Sequence, residues 1–116
     1  MTFPLTNTLK IRQDKNLVYN IELSKQVQKT LKKIKNKQLA NKYLDCIYKV
    51  IALDPESGTM KQGNLHGLYT QSFVYQKTNY RVAYTIKDDT LIIVILIGSH
   101  ENFYNELRRK IWTKDS

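Results

Sequence analysis

The alternation of apolar and polar positions predicts four β-strands. Residues 17–23, 68–75 and 80–86 each alternate, as expected of strands that pack one face on a core. Residues 90–97 instead form an almost unbroken run of branched apolar side chains, which is typical of an interior strand covered on both faces. Because only short links, including Asp88–Asp89, join the last three of these strands, we expect them to be antiparallel neighbours.

Helical spacing of apolar residues predicts three helices. Ser24, a residue type that caps helix N-termini, precedes the first helix, and Asp54–Pro55 ends the second, because the residue before a proline avoids helical backbone angles. The apolar positions of the first helix are Val27, Leu31 and Ile34. The apolar stripe of the second helix comprises Ala40, Tyr43, Leu44, Ile47, Val50 and Ile51. The third helix covers about residues 100–112, with a core-facing row formed by Phe103, Leu107 and Ile111.

The order strand, helix, helix, strand, strand, strand, helix describes an α+β fold, with a helical hairpin packed on one face of a small, mainly antiparallel twisted sheet. A chain of 116 residues is long enough for one hydrophobic core and too short for two. We therefore expect a single domain over residues 17–116. Residues 1–16 are polar, show no sustained period and are interpreted as a tail or an extra edge segment.

The chain is strongly basic, with 19 Lys and Arg residues against 10 Asp and Glu residues, a formal net charge of +9 and a pI near 9.7. This balance predicts a polyanionic partner: nucleic acid, an acidic protein or both. The longest apolar run, residues 91–97, is much shorter than the roughly 20 residues that span a bilayer, so no membrane partner is expected. The N-terminus lacks the charged-then-apolar pattern of a signal peptide, which favours a cytoplasmic protein.

Cysteine and metal-ligand patterns exclude several kinds of site. The single cysteine, Cys46, excludes an internal disulfide and a cysteine-based metal cluster, and its position near the apolar stripe predicts a half-buried thiol on the second helix. No spacing of His, Cys and carboxylate residues indicates a metal site, and no glycine-rich loop indicates a bound nucleotide. We therefore expect no cofactor.

A candidate site follows the predicted interior strand. The apolar run stops at Gly98, and Ser99 and His100, one of only two histidines, come next at the rigid end of a covered strand. If Ser99 caps the third helix, His100 lies in the first turn, where the positive helix end favours a neutral imidazole suited to a general base or proton shuttle. Tyr104 lies one helical turn further on the same side. The alternatives are a histidine bonded to backbone at the cap and a simple packing stripe of Tyr104, Arg108 and Trp112.

Three segments in this order resemble the RelE/ParE superfamily of bacterial type II toxins, over about residues 18–112. They are Asn64–Leu65–His66–Gly67–Leu68–Tyr69, the segment NYRVAYTI at 79–86, similar to a YRV-Y strand of the family, and IGSHENFY at 97–104, similar to the GxHxxxY ending of RelE-like members. The resemblance implies a RelE/ParE-like fold and a toxin that cleaves messenger RNA, often in the ribosomal A site. It also implies a tightly bound antitoxin protein, which the basic charge of this chain predicts to be acidic.

Metal-free RNA cleavage requires a base for the 2′-OH, cations for the phosphorane and an acid for the 5′-oxygen, and it leaves a 2′,3′-cyclic phosphate. The catalytic candidates are His100, Arg81, Tyr104 and His66. The Arg81 guanidinium matches phosphate geometry and stands beside the small Ala83, while Tyr104 would stack on a base or orient the phosphate. His66 would be a second proton-transfer group, and which group is acid and which is base stays open. The candidates for RNA or phosphate binding are Lys61, Arg108 and Lys77.

Alternative interpretations remain for these residues and for the whole protein. Arg81 would otherwise form an ion pair within the sheet, and His66 would be a turn residue. Thr70 stands where many family members carry an arginine, and the loss of that contact would lower activity or transfer the role to Lys61 or Lys77. We expect a metal-independent, ribosome-dependent endoribonuclease, because a gyrase binder needs no proton-transfer pair. The rivals are a non-enzymatic ParE-like inhibitor of DNA gyrase and a catalytically dead basic domain that only binds RNA or a regulator.

Overall fold

One five-stranded sheet organises the molecule, of which the computed structural model describes residues 18–61, 67–99 and 103–115. The strands are β1 Asn20–Leu23, β2 Thr59–Met60, β3 Tyr69–Tyr75, β4 Thr78–Ile86 and β5 Leu91–Ser99. Their order across the sheet is β1–β5–β4–β3–β2. β1 runs parallel to β5, and all other neighbouring strands are antiparallel, as the short links between the last three strands predict.

Helices cover both faces of this sheet. α1, Lys25–Lys33, and α2, Lys37–Asp45, form a hairpin on one face, here called the hairpin face, and α2 continues directly into a π-helix at Cys46–Ile51. α3, Phe103–Asp115, packs on the opposite face, here called the α3 face. The predicted α+β fold is therefore confirmed. Within the described ranges, every helix falls short of the length and apolar character that crossing a bilayer requires.

The hairpin face carries the larger of the two described hydrophobic clusters. The ring of Tyr43 on α2 meets the rings of Phe73 and Tyr80 edge-on, with centroid distances of 5.1 and 5.7 Å. Such pairs add about 1 kcal/mol each beyond simple burial. The other buried members of this cluster are Tyr19, Val27, Cys46, Ile47, Ile51, Val82, Tyr84, Ile92, Val94 and Ile97. Together they fix both helices of the hairpin to the interior strands β4 and β5.

A register shift distributes the apolar run of β5 over both faces of the sheet. Ala83 pairs with Leu96, but the next residue, Tyr84, pairs with Val94, so Ile95 is an extra residue that forms a β-bulge. As a result, Val94 packs into the hairpin-face cluster and Leu96 packs into the cluster under α3. The sequence predicted that both faces of this strand are covered, and this prediction is confirmed.

Ser24 joins α1 to this bulge. Its Oγ accepts a hydrogen bond from the Val27 N–H at 3.2 Å, which confirms the predicted helix cap, and donates one to the Ile95 carbonyl oxygen at 3.0 Å. The Ser24 N–H also donates to the Val94 carbonyl oxygen at 3.0 Å. These bonds satisfy backbone groups that a bulge would otherwise leave without partners, and they anchor the start of α1 on β5.

The second helix departs from the prediction in the residues that it buries. Leu44 and Val50 are 36% and 43% exposed, so their predicted place in the apolar stripe is wrong. The π-helical hydrogen bond from the Ala52 N–H to the Ile47 carbonyl oxygen spans five residues, and this wider turn brings Ala52 to the core in place of Val50. Cys46, at the start of the π-helix, is buried rather than half-buried.

β2 is the strand that the sequence did not predict. It has two residues, too few for an alternating pattern to be recognised, and it pairs with Thr70 and Tyr69 of β3. The segment 54–67, which the sequence predicts to be a loop, therefore contains a 3₁₀-helix at Pro55–Ser57 and an edge strand. The tail predicted for residues 1–16 lies outside the described residues.

Replacement of Ser24 by alanine should lower the free energy of unfolding by about 2 kcal/mol, because α1 loses its cap and the Ile95 carbonyl loses a hydrogen bond. Urea denaturation would measure the change. Ser24→Thr keeps both hydrogen-bonding functions and is the matched control. If Ser24→Ala and Ser24→Thr were equally stable, the anchoring role of the hydroxyl would be wrong.

The thiol of Cys46 should react slowly in the native protein. Burial raises its pKa from an ordinary value of 9.0 to about 11, so the group is almost entirely a neutral thiol at pH 8. Because the folded state holds this proton more tightly than the unfolded state, its contribution to stability is complete below pH 9 and falls as the pH rises toward 11. Iodoacetamide labelling at pH 8, with and without denaturant, would measure the difference, and equal rates would contradict it.

Candidate active site

Three of the predicted site residues, Lys61, Arg81 and Tyr104, converge on the α3 face. Lys61 Nζ donates a hydrogen bond to the Tyr104 hydroxyl oxygen at 3.4 Å and lies 4.6 Å from the centroid of the Tyr104 ring. The guanidinium carbon of Arg81 lies 5.5 Å from the same centroid. Both cations are within the range of cation–π attraction, which contributes about 0.5–1 kcal/mol at partly exposed sites. The three residues come from separate parts of the chain, so only the tertiary structure brings them together.

The sheet fixes the position of Arg81. On β4 it pairs with Ser72 of β3 and Gly98 of β5, and strand alternation directs its side chain to the α3 face together with Ala83. Gly98 has no side chain, and a Cβ there would lie 3.5 Å from Phe103 Cδ1. Small neighbours therefore leave the half-buried Arg81 side chain room to reach the surface.

The first turn of α3 fixes the position of Tyr104. Phe103 and Leu107 are 1% and 0% exposed and dock the helix on Ala83 and Leu96. The Phe103 ring meets the Tyr104 ring edge-on, with centroids 5.4 Å apart and planes at 89°. A buried core residue thus orients the phenol, which is half-buried and points its hydroxyl toward Lys61.

A buried phenol anchors the segment that carries Lys61. The Tyr84 hydroxyl donates a hydrogen bond to the Pro55 carbonyl oxygen, and Gly58 lies directly against it. A Cβ at Gly58 would clash with the Tyr84 oxygen and would lie 2.8 Å from the carbonyl oxygen of Thr70. Burial raises the pKa of Tyr84 far above its ordinary value, so the phenol stays a neutral donor. This anchor sets the path of the chain into β2 and then to Lys61. The Lys61 N–H donates a hydrogen bond to the Leu68 carbonyl oxygen, directly before β3, at 2.8 Å.

Asn79 contacts Arg81 from the same strand. With its amide oriented by its hydrogen-bond partners, Asn79 Oδ1 accepts from Arg81 Nη2 at 3.2 Å, and Nδ2 donates to the Phe73 carbonyl oxygen at 3.2 Å. The two residues are two positions apart on β4 and therefore share the α3 face. The guanidinium of Arg81 is held between this amide and the ring of Tyr104.

The arrangement is suited to a phosphate group. Two cationic side chains and one phenol, all half-buried, contact one another, and charge-assisted hydrogen bonds from such cations stabilise an anion more strongly than neutral donors do. In the part of the chain that the structure describes, no three His, Cys, Asp or Glu side chains are grouped so that they could hold a metal ion.

The remaining predicted site residues lie elsewhere or outside the described residues. Arg108, one turn beyond Tyr104 on α3, is exposed and donates to Asn105 Oδ1 at 3.2 Å. Lys77 is exposed in the turn between β3 and β4, where its φ is +67°. His66 and His100 lie outside the described residues, and their roles stay predictions.

The predicted cap of the third helix is wrong. β5 continues through Ser99, which pairs with Tyr80, so Ser99 is a strand residue and not the N-cap. β5 extends two residues beyond its apolar run, because its end is set by backbone pairing with β4 and not by the hydrophobicity of its side chains. The inference that His100 lies in the first turn of a helix capped by Ser99 therefore loses its basis.

Thr70 is buried and does not add an exposed polar group beside Lys61, Arg81 and Tyr104. It is 4% exposed and pairs with Ala83 on the α3 face. At the position where many members of the resembled family carry an arginine, this chain thus packs a small side chain. Lys61 supplies a cation beside Tyr104 instead.

Sequence reasoning missed three residues that shape the site: Asn79, Gly58 and Tyr84. Asn79 carried a usable signal, because a polar residue two positions before Arg81 in an alternating strand must share its face. Gly58 and Tyr84 carried no such signal in the sequence, because their contact joins a loop glycine to a strand residue that is distant along the chain.

Comparisons with known proteins identify the family. A family model described as the ParE-like toxin of type II bacterial toxin–antitoxin systems matches residues 21–108, which is most of the chain. The chain therefore belongs to the ParE-like toxins of type II bacterial toxin–antitoxin systems, and the predicted membership of the RelE/ParE superfamily is confirmed. No curated protein matches the chain.

Solved structures share the fold at low sequence identity. The toxin–antitoxin complex RelBE2 from Mycobacterium tuberculosis aligns with a TM-score of 0.60 and 17% identity, covering 74% of this chain and 95% of that chain. An arginine-to-alanine double mutant of the E. coli toxin RelE in the free state aligns with a TM-score of 0.56 and 19% identity, covering 82% of this chain and 99% of that chain. Likeness at this level of identity supports the fold.

Replacement of Gly58 by alanine should lower the free energy of unfolding by about 1–3 kcal/mol, because the new methyl group overlaps the Tyr84 hydroxyl. Thermal and urea unfolding would measure the loss. In a Tyr84→Phe background the oxygen is gone, so the same substitution should cost less. An equal cost in both backgrounds would show that the phenol does not restrict position 58.

Proposed function

We propose that this toxin is a metal-independent endoribonuclease that cleaves messenger RNA, in the ribosomal A site, and so inhibits translation. The observation that carries this proposal is the convergence of Lys61 and Arg81 on the phenol of Tyr104. Two fixed cations beside a proton-bearing group supply the charge stabilisation that an in-line attack on a phosphodiester requires. The protein cations thereby take the part that a metal ion plays in other nucleases.

Each group has a role in this reaction. The ribose 2′-OH loses its proton to a base and attacks the phosphorus, and the 5′-oxygen leaves with a proton from an acid, which yields a 2′,3′-cyclic phosphate and a 5′-OH. Arg81 and Lys61 would neutralise the non-bridging oxygens of the phosphorane, for which the Arg81 fork is well shaped. Tyr104, His100 and His66 are the candidates for proton transfer, with the assignment of acid and base left open.

The charge of the chain supports the proposed partners. A net charge of +9 favours ribosomal and messenger RNA as substrates and an acidic antitoxin as inhibitor. The likeness to a toxin–antitoxin complex adds support for a protein antitoxin. These partners imply action in the cytoplasm.

The family description favours a second candidate function. The matching model describes ParE-like toxins. The resemblance to ParE implies, as an alternative, a non-enzymatic inhibitor of DNA gyrase. Such a protein would use its basic surface to bind its target and would not cleave RNA. A third candidate, a basic domain that binds RNA without cutting it, draws support from the buried Thr70, which replaces an arginine of many members.

Substitutions of Lys61, Arg81 and Tyr104 should slow cleavage strongly without unfolding the protein. In a reconstituted translation system, Arg81→Ala should slow cleavage about 100- to 1,000-fold through the loss of phosphorane stabilisation, and Tyr104→Phe should slow it by at least about 100-fold if the hydroxyl transfers a proton. Lys61→Ala should have a similar effect. Mapping of messenger RNA 5′ ends on stalled ribosomes would measure the rates, and Arg109→Ala, an exposed arginine on α3, is the matched control.

The other outcomes discriminate between the candidates. Failure of the wild-type protein to cut messenger RNA, together with inhibition of purified DNA gyrase, would identify a gyrase inhibitor. Failure in both assays, with RNA binding retained, would identify the inactive binding domain. Cleavage that persists at the wild-type rate in Arg81→Ala and Tyr104→Phe would remove this cluster from the chemistry.

A further inference from the structure

The side chain of Asn79 links the backbone of β3 to the guanidinium of Arg81. Its Nδ2 donates to the Phe73 carbonyl oxygen of β3 at 3.2 Å, and its Oδ1 accepts from Arg81 Nη2, also at 3.2 Å. The first bond fixes the amide against the sheet, and the second directs a rigid acceptor at the arginine. In this orientation both ends of the amide have a partner, which restricts its rotation.

We propose that Asn79 is a positioning residue that holds Arg81 in the orientation needed to bind the scissile phosphate; this inference rests on the proposed nuclease function. An arginine side chain has many rotamers, and a free one must be ordered each time the phosphate binds. The hydrogen bond from Nη2 to Asn79 and the contact with the Tyr104 ring order the guanidinium in advance. The guanidinium is a planar fork with five N–H donors, and the bond to Asn79 uses one of them, on Nη2.

The position of Asn79 suits this role. It lies on the α3 face in register with the exposed Val74, so its amide sits at the outer margin of the site, while Tyr104 contacts Arg81 from α3. The neutral amide orients the cation without cancelling its charge, as a carboxylate there would do. Asn79 thus acts on the reaction through Arg81.

The test compares cleavage rates in two backgrounds. Asn79→Ala should slow single-turnover cleavage on programmed ribosomes by about 10- to 100-fold, with little change in ribosome affinity, because the misplaced arginine still carries its charge. In the Arg81→Ala background the same substitution should have no further effect, because the residue that it positions is absent. Thr78→Ala, an exposed neighbour directed to the opposite face, is the matched control and should cleave at the wild-type rate.

A second measurement reads the orientation directly. The side-chain Nε–Hε signal of Arg81 in a ¹⁵N NMR spectrum should move toward the position of a mobile arginine in Asn79→Ala. It should stay near the wild-type position in Thr78→Ala, which leaves both hydrogen bonds of Asn79 in place. This reading does not depend on nuclease activity, and unfolding temperatures would show that each variant is folded.

The outcomes separate this inference from the proposed function. If the wild-type protein cleaves and Arg81→Ala does not, but Asn79→Ala cleaves at the wild-type rate, the positioning role is overturned while the nuclease stands. A loss of the same size in both backgrounds would also overturn it, since a general structural defect would then explain the effect. If the wild-type protein does not cleave at all, the nuclease fails and with it the role in catalysis.

Discussion

The antiparallel pairing of β4 with β5 is the constraint on which the rest of the structure depends. The bulge at Ile95 shifts the alternation of β5 by one residue, and the Ser24 hydroxyl satisfies the bulged carbonyl. Without that shift, Gly98 would share the face of Val94 and point to the helical hairpin. The bulge therefore places Gly98 on the α3 face beside Arg81, where a Cβ would lie 3.5 Å from Phe103 Cδ1.

Local sequence signals predicted most of the fold because most elements are defined locally. The alternation in β3 and β4, the Ser24 cap and the proline after α2 each act within a few residues, and each lies where it was predicted. The bulge, the π-helix and the two-residue strand β2 depend on hydrogen bonds between distant segments. No apolar period marks them, so Val50 was assigned to the core and Ser99 to a helix cap.

The sequence predicted which residues would form the site, but it did not predict the contacts that bring them together. Arg81 and the alternation of its strand were both predicted, and this alternation fixes the face to which Arg81 points, while Tyr104 followed from its place near the start of a helix. Their meeting with Lys61 depends on where α3 docks and on the Tyr84 phenol that anchors the segment before β2. The sequence predicted the core-facing row of α3, but it indicated neither the place where that row docks nor the contact of the phenol. The sequence predicted Lys61 as a phosphate-binding residue of a loop but not its neighbours, and the structure brings it to the Tyr104 hydroxyl.

The positive charge of this protein is spread well beyond that cluster. α1 exposes Lys25, Lys29, Lys32 and Lys33, and it packs on the face opposite α3. A polyanion will therefore be attracted to several sides of the molecule, and the first encounter will be rapid but poorly oriented. Correct orientation must then come from short-range contacts, so ionic strength should control how often the protein and its partner meet, whereas the geometry around Tyr104 controls what happens once they have met.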